Sequence, residues 1–377
     1  MVEWKELKEV FDTRNGYTPS TSNEAFWEGG YIPWFKMEDI RDNGNILYDS
    51  YLHITDKAIK GKGLFKANSI LLATSATIGE HALIEVEHLS NQRFTNFYPK
   101  KEYEQFINMR YAYYYMFIID EWCKQHVNQG GFASVDTGGL YKLSFPIPSL
   151  EEQARIVGIL DTFTSAIDNL KEQIAQRRKQ YEYYRDQLLD LEGKEGVRQI
   201  VLKDVCDVIN GRAYSQPELL SEGKYRVLRV GNFFSNDSWY FSDLELEDKY
   251  YCNKGDLLYA WSASFGPHIW EEEKVIYHYH IWKMSCKEEL HTKYMYYWLQ
   301  SEDMKKQAFS NLHGATMAHL TKVLMESLNV PVPPLSEQQR IVSILDTFEA
   351  SIQNLEAQLS QREKQYEYYR NKLLTFD

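Results

Sequence analysis

The chain repeats itself, and this limits what it can fold into more than any other feature. Residues 146–189 read PIPSLEEQARIVGILDTFTSAIDNLKEQIAQRRKQYEYYRDQLL, and residues 331–374 read PVPPLSEQQRIVSILDTFEASIQNLEAQLSQREKQYEYYRNKLL; they align without a gap at an offset of 185, with 28 identities over 44 positions. Apolar residues in the first copy fall at Ile156, Leu160, Phe163, Ile167, Leu170, Ile174, Tyr181, Tyr184 and Leu188, in alternating steps of four and three, with Arg177 filling one slot. The second copy runs from Ile341 through Leu345, Phe348, Ile352, Leu355 and Leu359 to Tyr366, Tyr369 and Leu373, with Arg362 in that slot. A four-three alternation of this length predicts a long helix with a coiled-coil seam. Pro146 and Pro148 precede the first helix, and Ser149 with Glu152 fits a capping box; the pair in the second copy is Ser336 with Gln339. The seam arginine has two readings, a long side chain whose head reaches past the seam edge or a buried polar residue that fixes register.

The repeat extends beyond the helices. Residues 67–79 (ANSILLATSATIG) and 254–266 (KGDLLYAWSASFG) each carry a short apolar run, read as a buried strand, followed by Ser-Ala-Thr/Ser-x-Gly. Trp4–Val10 has a looser echo in Val201–Val205, and the aromatic stretches Tyr111 to Tyr115 and Tyr294 to Trp298, read as core rather than stacking surface, precede the long helices. The plan is a first variable domain over 1–145, a helix over 146–192, a second variable domain over 193–330 and a second helix over 331–377. The fold class is α+β, with two repeated mixed domains joined by two long antiparallel coiled-coil helices. The clearest boundary is Glu192–Gly196, with its two glycines.

Composition bounds the function classes. The best apolar run, Tyr111 to Ile119, stops at Asp120, well short of the roughly 18 residues of a membrane span, and the first residues lack a secretory pattern. Cys123, Cys206, Cys252 and Cys286 form no Cys-x-x-Cys pair, which fits a reducing cytoplasm and a cytoplasmic location. The net charge of −12 opposes a lone nucleic-acid binder. It is evenly spread: residues 1–145 hold 15 Lys+Arg against 19 Asp+Glu, and residues 200–330 hold 14 against 18.

Catalytic patterns are missing from the sequence. It has no Gly-x-x-x-x-Gly-Lys-Ser/Thr loop, Gly61-Lys62-Gly63 lacks the third glycine of a dinucleotide fingerprint, and there is no His-Glu-x-x-His. His278 and His280 fall on one side of a strand as a metal pair would, but no further ligand has a fitting spacing, so no metal is expected. Asp256, Glu272 and Lys274 are loosely spaced like a nuclease site, a short motif frequent by chance, and the first half has no counterpart.

The two copies of Pro-x-Pro-x-Leu-x-Glu-Gln-x-x-Ile-Val-x-Ile-Leu-Asp, each running into Tyr-Glu-Tyr-Tyr-Arg, resemble the specificity subunits of type I restriction–modification systems. The resemblance covers the whole plan and is sequence-specific over the helices. It implies two target-recognition domains, each reading one half of a split site in double-stranded DNA. It also implies two docked adenine-N6 methyltransferase subunits and additional restriction–translocase subunits. Catalysis, S-adenosylmethionine, ATP and magnesium would belong to those partners, leaving this chain no cofactor. The partners would also neutralise many phosphates, which accommodates the acidic charge. Ile156 to Leu188 spans 32 helical steps, about 48 Å at ~1.5 Å each, so the helices would act as a ruler for the unread gap.

Base and phosphate contacts use Arg, Lys, Asn, Gln, Ser, Thr and His. DNA-contact candidates are Lys36, Ser75, Thr77, Gln92 and Arg93 in the first domain, and Arg226, Arg229, Ser262, Ser264, His280 and Lys283 in the second. The serine and threonine turns read equally well as strand punctuation. With the seam committed to pairing, partner contacts are expected at Glu152, Gln153, Arg155, Glu337, Gln338 and Arg340, one spot presented twice, unless this is a plain solvated face. The competing reading is a coiled-coil scaffold whose two modules bind proteins.

Overall fold

The computed structural model describes residues 2–128, 133–233, 236–262, 265–309 and 320–376. It divides into two compact units, Met1–Asn169 with Leu359–Asp377, and Leu170–Gln358. Each unit therefore holds one variable domain and a segment of both long helices.

In the first unit, the apolar run Ser69–Ala73 becomes a strand buried along its whole length. It pairs antiparallel with Phe94–Pro99 on one side (Leu71 opposite Asn96) and with His81–Ile84 on the other (Leu71 opposite Ala82). Phe11–Asn15 and Ile46–Leu47 complete a five-stranded sheet, and a three-stranded sheet has Ile32–Phe35 between His53–Ile54 and Leu89–Ser90. The helix Met109–Gln125 is capped by the Asn108 side chain and buries Tyr111 through Met116. Burial holds the Tyr111 hydroxyl well above its ordinary ionisation range. The aromatic stretch is core, as its composition suggests.

The second unit rebuilds this plan. Leu257–Ala260 lies between Ile281–Cys286 and Gly266–Ile269, with Cys206–Asn210 at the edge, and a second four-stranded sheet runs Tyr240–Ser242, Tyr225–Leu228, Val275–Tyr277, Tyr251–Cys252. Tyr294, Tyr297 and Trp298 are fully buried. The N-terminal echo is structural too: Leu7 donates its N–H to the Leu143 carbonyl at 2.9 Å, and Leu202 donates to Leu328 at 2.8 Å.

Both long helices are continuous over 40 residues, Leu150–Leu189 and Leu335–Leu374. Ser149 caps the first, its Oγ accepting the Glu152 N–H at 3.3 Å. The second starts one residue after Pro334, so Ser336, the expected cap, lies inside the first turn. Within the second unit the helices run antiparallel: Arg178 meets Glu356 at 2.5 Å, Tyr181 meets Glu349 at 3.3 Å, and Tyr184 stacks on Phe348 at 5.5 Å. The first unit holds the matching stack of Phe163 on Tyr369 at 5.4 Å.

The seam is not all helix against helix. Ile156 and Leu160 join the core around Tyr111, together with Leu374. Ile341 and Leu345 join the core around Tyr294. The start of each stripe thus serves its own variable domain. Arg177 and Arg362 are half-buried, and each sits over a phenylalanine of the other helix, Phe348 at 5.9 Å and Phe163 at 5.7 Å. The two copies share a partner, a cation over a ring face.

One position beside the seam departs from the repeat. Glu349 stands where the first copy has Thr164, and it accepts from the hydroxyls of Tyr181, Tyr296 and Tyr297 at 3.3, 3.4 and 3.1 Å. Burial raises its pKa above the ordinary carboxylate value despite these donors.

Candidate functional site

Three segments meet at one end of each variable domain, and backbone hydrogen bonds fix them the same way in both. In the first unit the chain leaving Phe11–Asn15 crosses at Gly16, whose N–H reaches the Phe94 carbonyl at 3.0 Å; the next N–H, of Tyr17, reaches Ser90 at 2.8 Å. A Cβ on Gly16 would lie 2.2 Å from the Asn91 carbonyl oxygen, so only glycine permits the crossing. The segment Asn91–Arg93 is held at both ends, Asn91 donating to the Phe35 carbonyl and Arg93 accepting from the Thr74 N–H, both at 3.0 Å. Residues 36, 74–75 and 91–93 therefore share one surface.

The second unit repeats each contact. Gly211 donates to Ile281 and Arg212 to Tyr277, both at 3.1 Å. A Cβ on Gly211 would lie 2.3 Å from the His278 carbonyl oxygen. His278 donates to Leu228 at 2.9 Å, and His280 accepts from the Trp261 N–H at 3.2 Å. Arg229 thus takes the place of Lys36, Trp261–Ser262 that of Thr74–Ser75, and His278–His280 that of Asn91–Arg93.

The scaffold is common but the side chains are not. In the first unit Gln92 and Arg93 are exposed, Gln92 accepting from the Thr18 hydroxyl at 2.6 Å. Half-buried Lys36 has its ammonium 4.0 Å from Glu38. In the second unit the surface is a run of rings. The His278 and Tyr279 centroids lie 4.5 Å apart, Tyr279 and His280 3.8 Å apart, and Trp261 is 5.1 Å from His280. Arg229 is exposed beside them, over Tyr240 at 5.2 Å. Burial, with His280 and Arg229 nearby, lowers the His278 pKa to about 4, so its imidazole is neutral at physiological pH.

Of the eleven residues expected to contact DNA, Lys36, Ser75, Gln92, Arg93, Arg229, Ser262 and His280 come together on these two surfaces. Thr77 lies just past the first, its hydroxyl buried and without a hydrogen-bond partner among the described residues. Two cations are already occupied by partners within the second unit. Arg226 bridges to Glu272 at 2.8 Å and covers Trp239 at 4.7 Å. Lys283, 14% exposed, donates to the Tyr251 carbonyl at 2.8 Å. Ser264 lies outside the described residues. Asp256, Glu272 and Lys274 do not converge: Asp256 accepts the Asn253 N–H, Glu272 holds Arg226, and Lys274 covers the Tyr251 ring.

Sequence reasoning missed Asn91, Trp261, His278 as a surface residue and Tyr279. A signal existed: the turn repeat has an offset of 187 (Ser75 to Ser262), and the same offset carries residues 91–93 onto 278–280.

At the helix starts, Gln153 and Gln338 are wholly buried, against the docking expectation. Gln153 donates to the Phe106 and Pro148 carbonyls and accepts from the Asn108 N–H, each at 2.8 Å. Gln338 does the same with Glu289 (2.9 Å), Pro333 (2.8 Å) and the His291 N–H (2.8 Å). Their amides are spent fastening the helix start to the segment that leads into the aromatic stretch. Glu152 with Arg155 and Glu337 with Arg340 form exposed ion pairs at 2.6 and 2.7 Å, the pattern of a solvated face or a docking one.

Comparison with known proteins matches this twofold plan. A family model described as "Type I restriction modification DNA specificity domain" matches residues 1–177 and again 194–363. The chain is 46% identical over 218 residues to the EcoprrI type I restriction enzyme specificity subunit of Escherichia coli, a match spanning 54% of each chain, about half the length of that relative. It is 28% identical over 402 residues to a putative type I specificity subunit of Haemophilus influenzae, covering all of this chain and 96% of the other. The fold resembles a type I S subunit from M. genitalium (TM-score 0.56, 17% identity, covering 100% of this chain and 97% of that one). It also resembles a chain solved in work on complex assembly of the type I system (TM-score 0.68, 17% identity, covering 100% and 98%).

Proposed function

The chain belongs to the type I restriction–modification DNA specificity family, and from that premise we propose that its two domains each read one half of a split DNA site while the chain holds two adenine-N6 methyltransferase subunits. The observation that carries this reading is the doubled surface: one hydrogen-bonded scaffold, built twice, presenting Lys36 and Asn91–Arg93 in one unit and Arg229 and His278–His280 in the other. A reader of two different half-sites needs constant geometry and variable side chains, since groove position is set by the scaffold and base choice by the groups it presents.

In this reading the chain is non-catalytic and acts in the cytoplasm. The methyltransferase subunits bind S-adenosylmethionine, and restriction subunits bring ATP and magnesium. Partners dock on the exposed faces at Glu152–Arg155 and Glu337–Arg340. They also supply phosphate neutralisation that a chain of net charge −12 lacks, so isolated-chain binding is weak and salt-sensitive.

The test is a methylome. Co-expression of the chain with its neighbouring methyltransferase in a clean host is expected to place N6-methyladenine on both strands of a new split motif. A stable complex that leaves no mark would overturn the reading.

A further inference from the structure

The two surfaces differ in chemistry more than two readers of similar bases need to. Gln92 and Arg93 offer an amide and a guanidinium, the groups that pair bidentately with adenine and guanine edges. Their counterparts, Tyr279 and His280, have no such fork. Behind them the rings continue inward: Trp261 stacks on Trp282 (5.7 Å, 19°), and Trp282 on Tyr259 (6.1 Å, 18°). Trp282 and Tyr259 are each 2% exposed, whereas Tyr279 is 39% exposed. The Trp261 indole N–H donates to the Tyr279 carbonyl at 2.9 Å, which fixes the outer ring to the backbone of the exposed segment. In the first unit the aligned positions are Thr74, Thr95 and Leu72, so the stack belongs to the second domain alone.

A rigid ring stack that ends at a surface shared with an exposed arginine suits one kind of base edge. In the major groove the apolar edge is the thymine C5-methyl group. We propose that the second domain selects thymine by packing this methyl against a ledge of Tyr279 and Trp261, flanked by His278 and His280, while the first domain selects purines by hydrogen bonds. The proposal rests on the split-site reading above and specifies its second half. Arg229, beside the ledge, holds the phosphate backbone and carries no base preference.

The experiment uses the complex of the full chain with its methyltransferase and duplexes bearing the mapped site, with binding followed by fluorescence anisotropy. Each thymine is replaced in turn by uracil, which lacks only the methyl. Loss of one buried methyl weakens binding about fourfold, so at least one uracil in the second half-site is expected to do so. Uracil in the first half-site is expected to change binding less than twofold. Tyr279→Ala, an exposed change, is expected to bind thymine and uracil duplexes equally. Arg229→Ala lowers the salt dependence by about one ion and leaves discrimination intact. If the wild-type complex binds no split site, the underlying reading fails. If it binds the site but tolerates every uracil, or if Tyr279→Ala still discriminates, the ledge fails and the split-site reading stands.

Discussion

Replacing Gln338 with alanine separates a fastening role from a docking one. The amide makes three hydrogen bonds of 2.8–2.9 Å from a wholly buried position. Its removal leaves the His291 N–H and two carbonyls short of a partner, at about 1–3 kcal/mol for each buried group that water does not reach. Allowing water at the half-buried Glu289 carbonyl and His291 N–H but not at the buried Pro333 carbonyl, the total is about 3 kcal/mol. For a domain of this size each kcal/mol lowers Tm by roughly 2–4 °C, so calorimetry should show a fall of roughly 6–12 °C in one transition. Gln153→Ala makes the same break in the other unit and should cost a similar amount, the two adding in the double variant because they share no partner. Arg340→Ala, which loses only an exposed pair, should stay within about 0.5 kcal/mol of the wild type. A Gln338→Ala chain that melts within about 2 °C of wild type yet no longer binds the methyltransferase would refute the reasoning and restore the glutamine as a docking residue.

Glu349→Gln should stabilise the second unit at neutral pH. Its folded pKa is raised by burial, so the stability it contributes is fully present below the ordinary 4.5 and lost as pH rises through the folded value. The gain in melting temperature should shrink as pH falls toward 4.5, and a gain independent of pH would assign it to something other than charge burial. Gly211→Ala should displace His278 and abolish methylation of the natural motif while the complex still assembles; an unchanged methylome would show that the crossing does not position the reading segment. Seven residues inserted at matched points in both long helices add about 10 Å of helix, near three base pairs of duplex at ~3.4 Å each. Methylation at the original spacing would rule out a ruler.

The architecture was legible because the repeat is strong where the physics is simple. A four-three stripe specifies a helix whatever packs on it, and both helices appear at the expected offset. The aromatic stretches were legible as core for a similar reason, since four large rings within five residues carry more apolar surface than an exposed helix face holds. What the stripe could not reveal is its full set of partners: Ile156 and Leu160 look like any other seam residues, yet they share a core with Tyr111 of the variable domain as well as with Leu374 of the second helix. The site was half legible. Residue type picked out Lys36, Gln92, Arg93, Arg229 and His280, but residue type also picked Lys283, because tethering to a carbonyl of a distant strand leaves no local mark. The aromatic half of the surface was passed over, since Trp261 and Tyr279 are rings of the kind that fill cores, and only the fold shows Tyr279 exposed with half-buried Trp261 tied to its carbonyl.

The division of the chain has a consequence for synthesis. Residues 170–358 are contiguous, so the second unit has all its parts as soon as the chain reaches Gln358. The first unit draws on residues 359–377: Leu374 is 1% exposed in its core, and Phe376 packs edge-on against Trp4 at 6.2 Å. The part made first must therefore wait, with an open apolar face around Ile156 and Tyr111, until the last turn of the second helix leaves the ribosome. Domains usually close in the order in which they are translated. Here that order is expected to be reversed, with the first unit the one that chaperones hold.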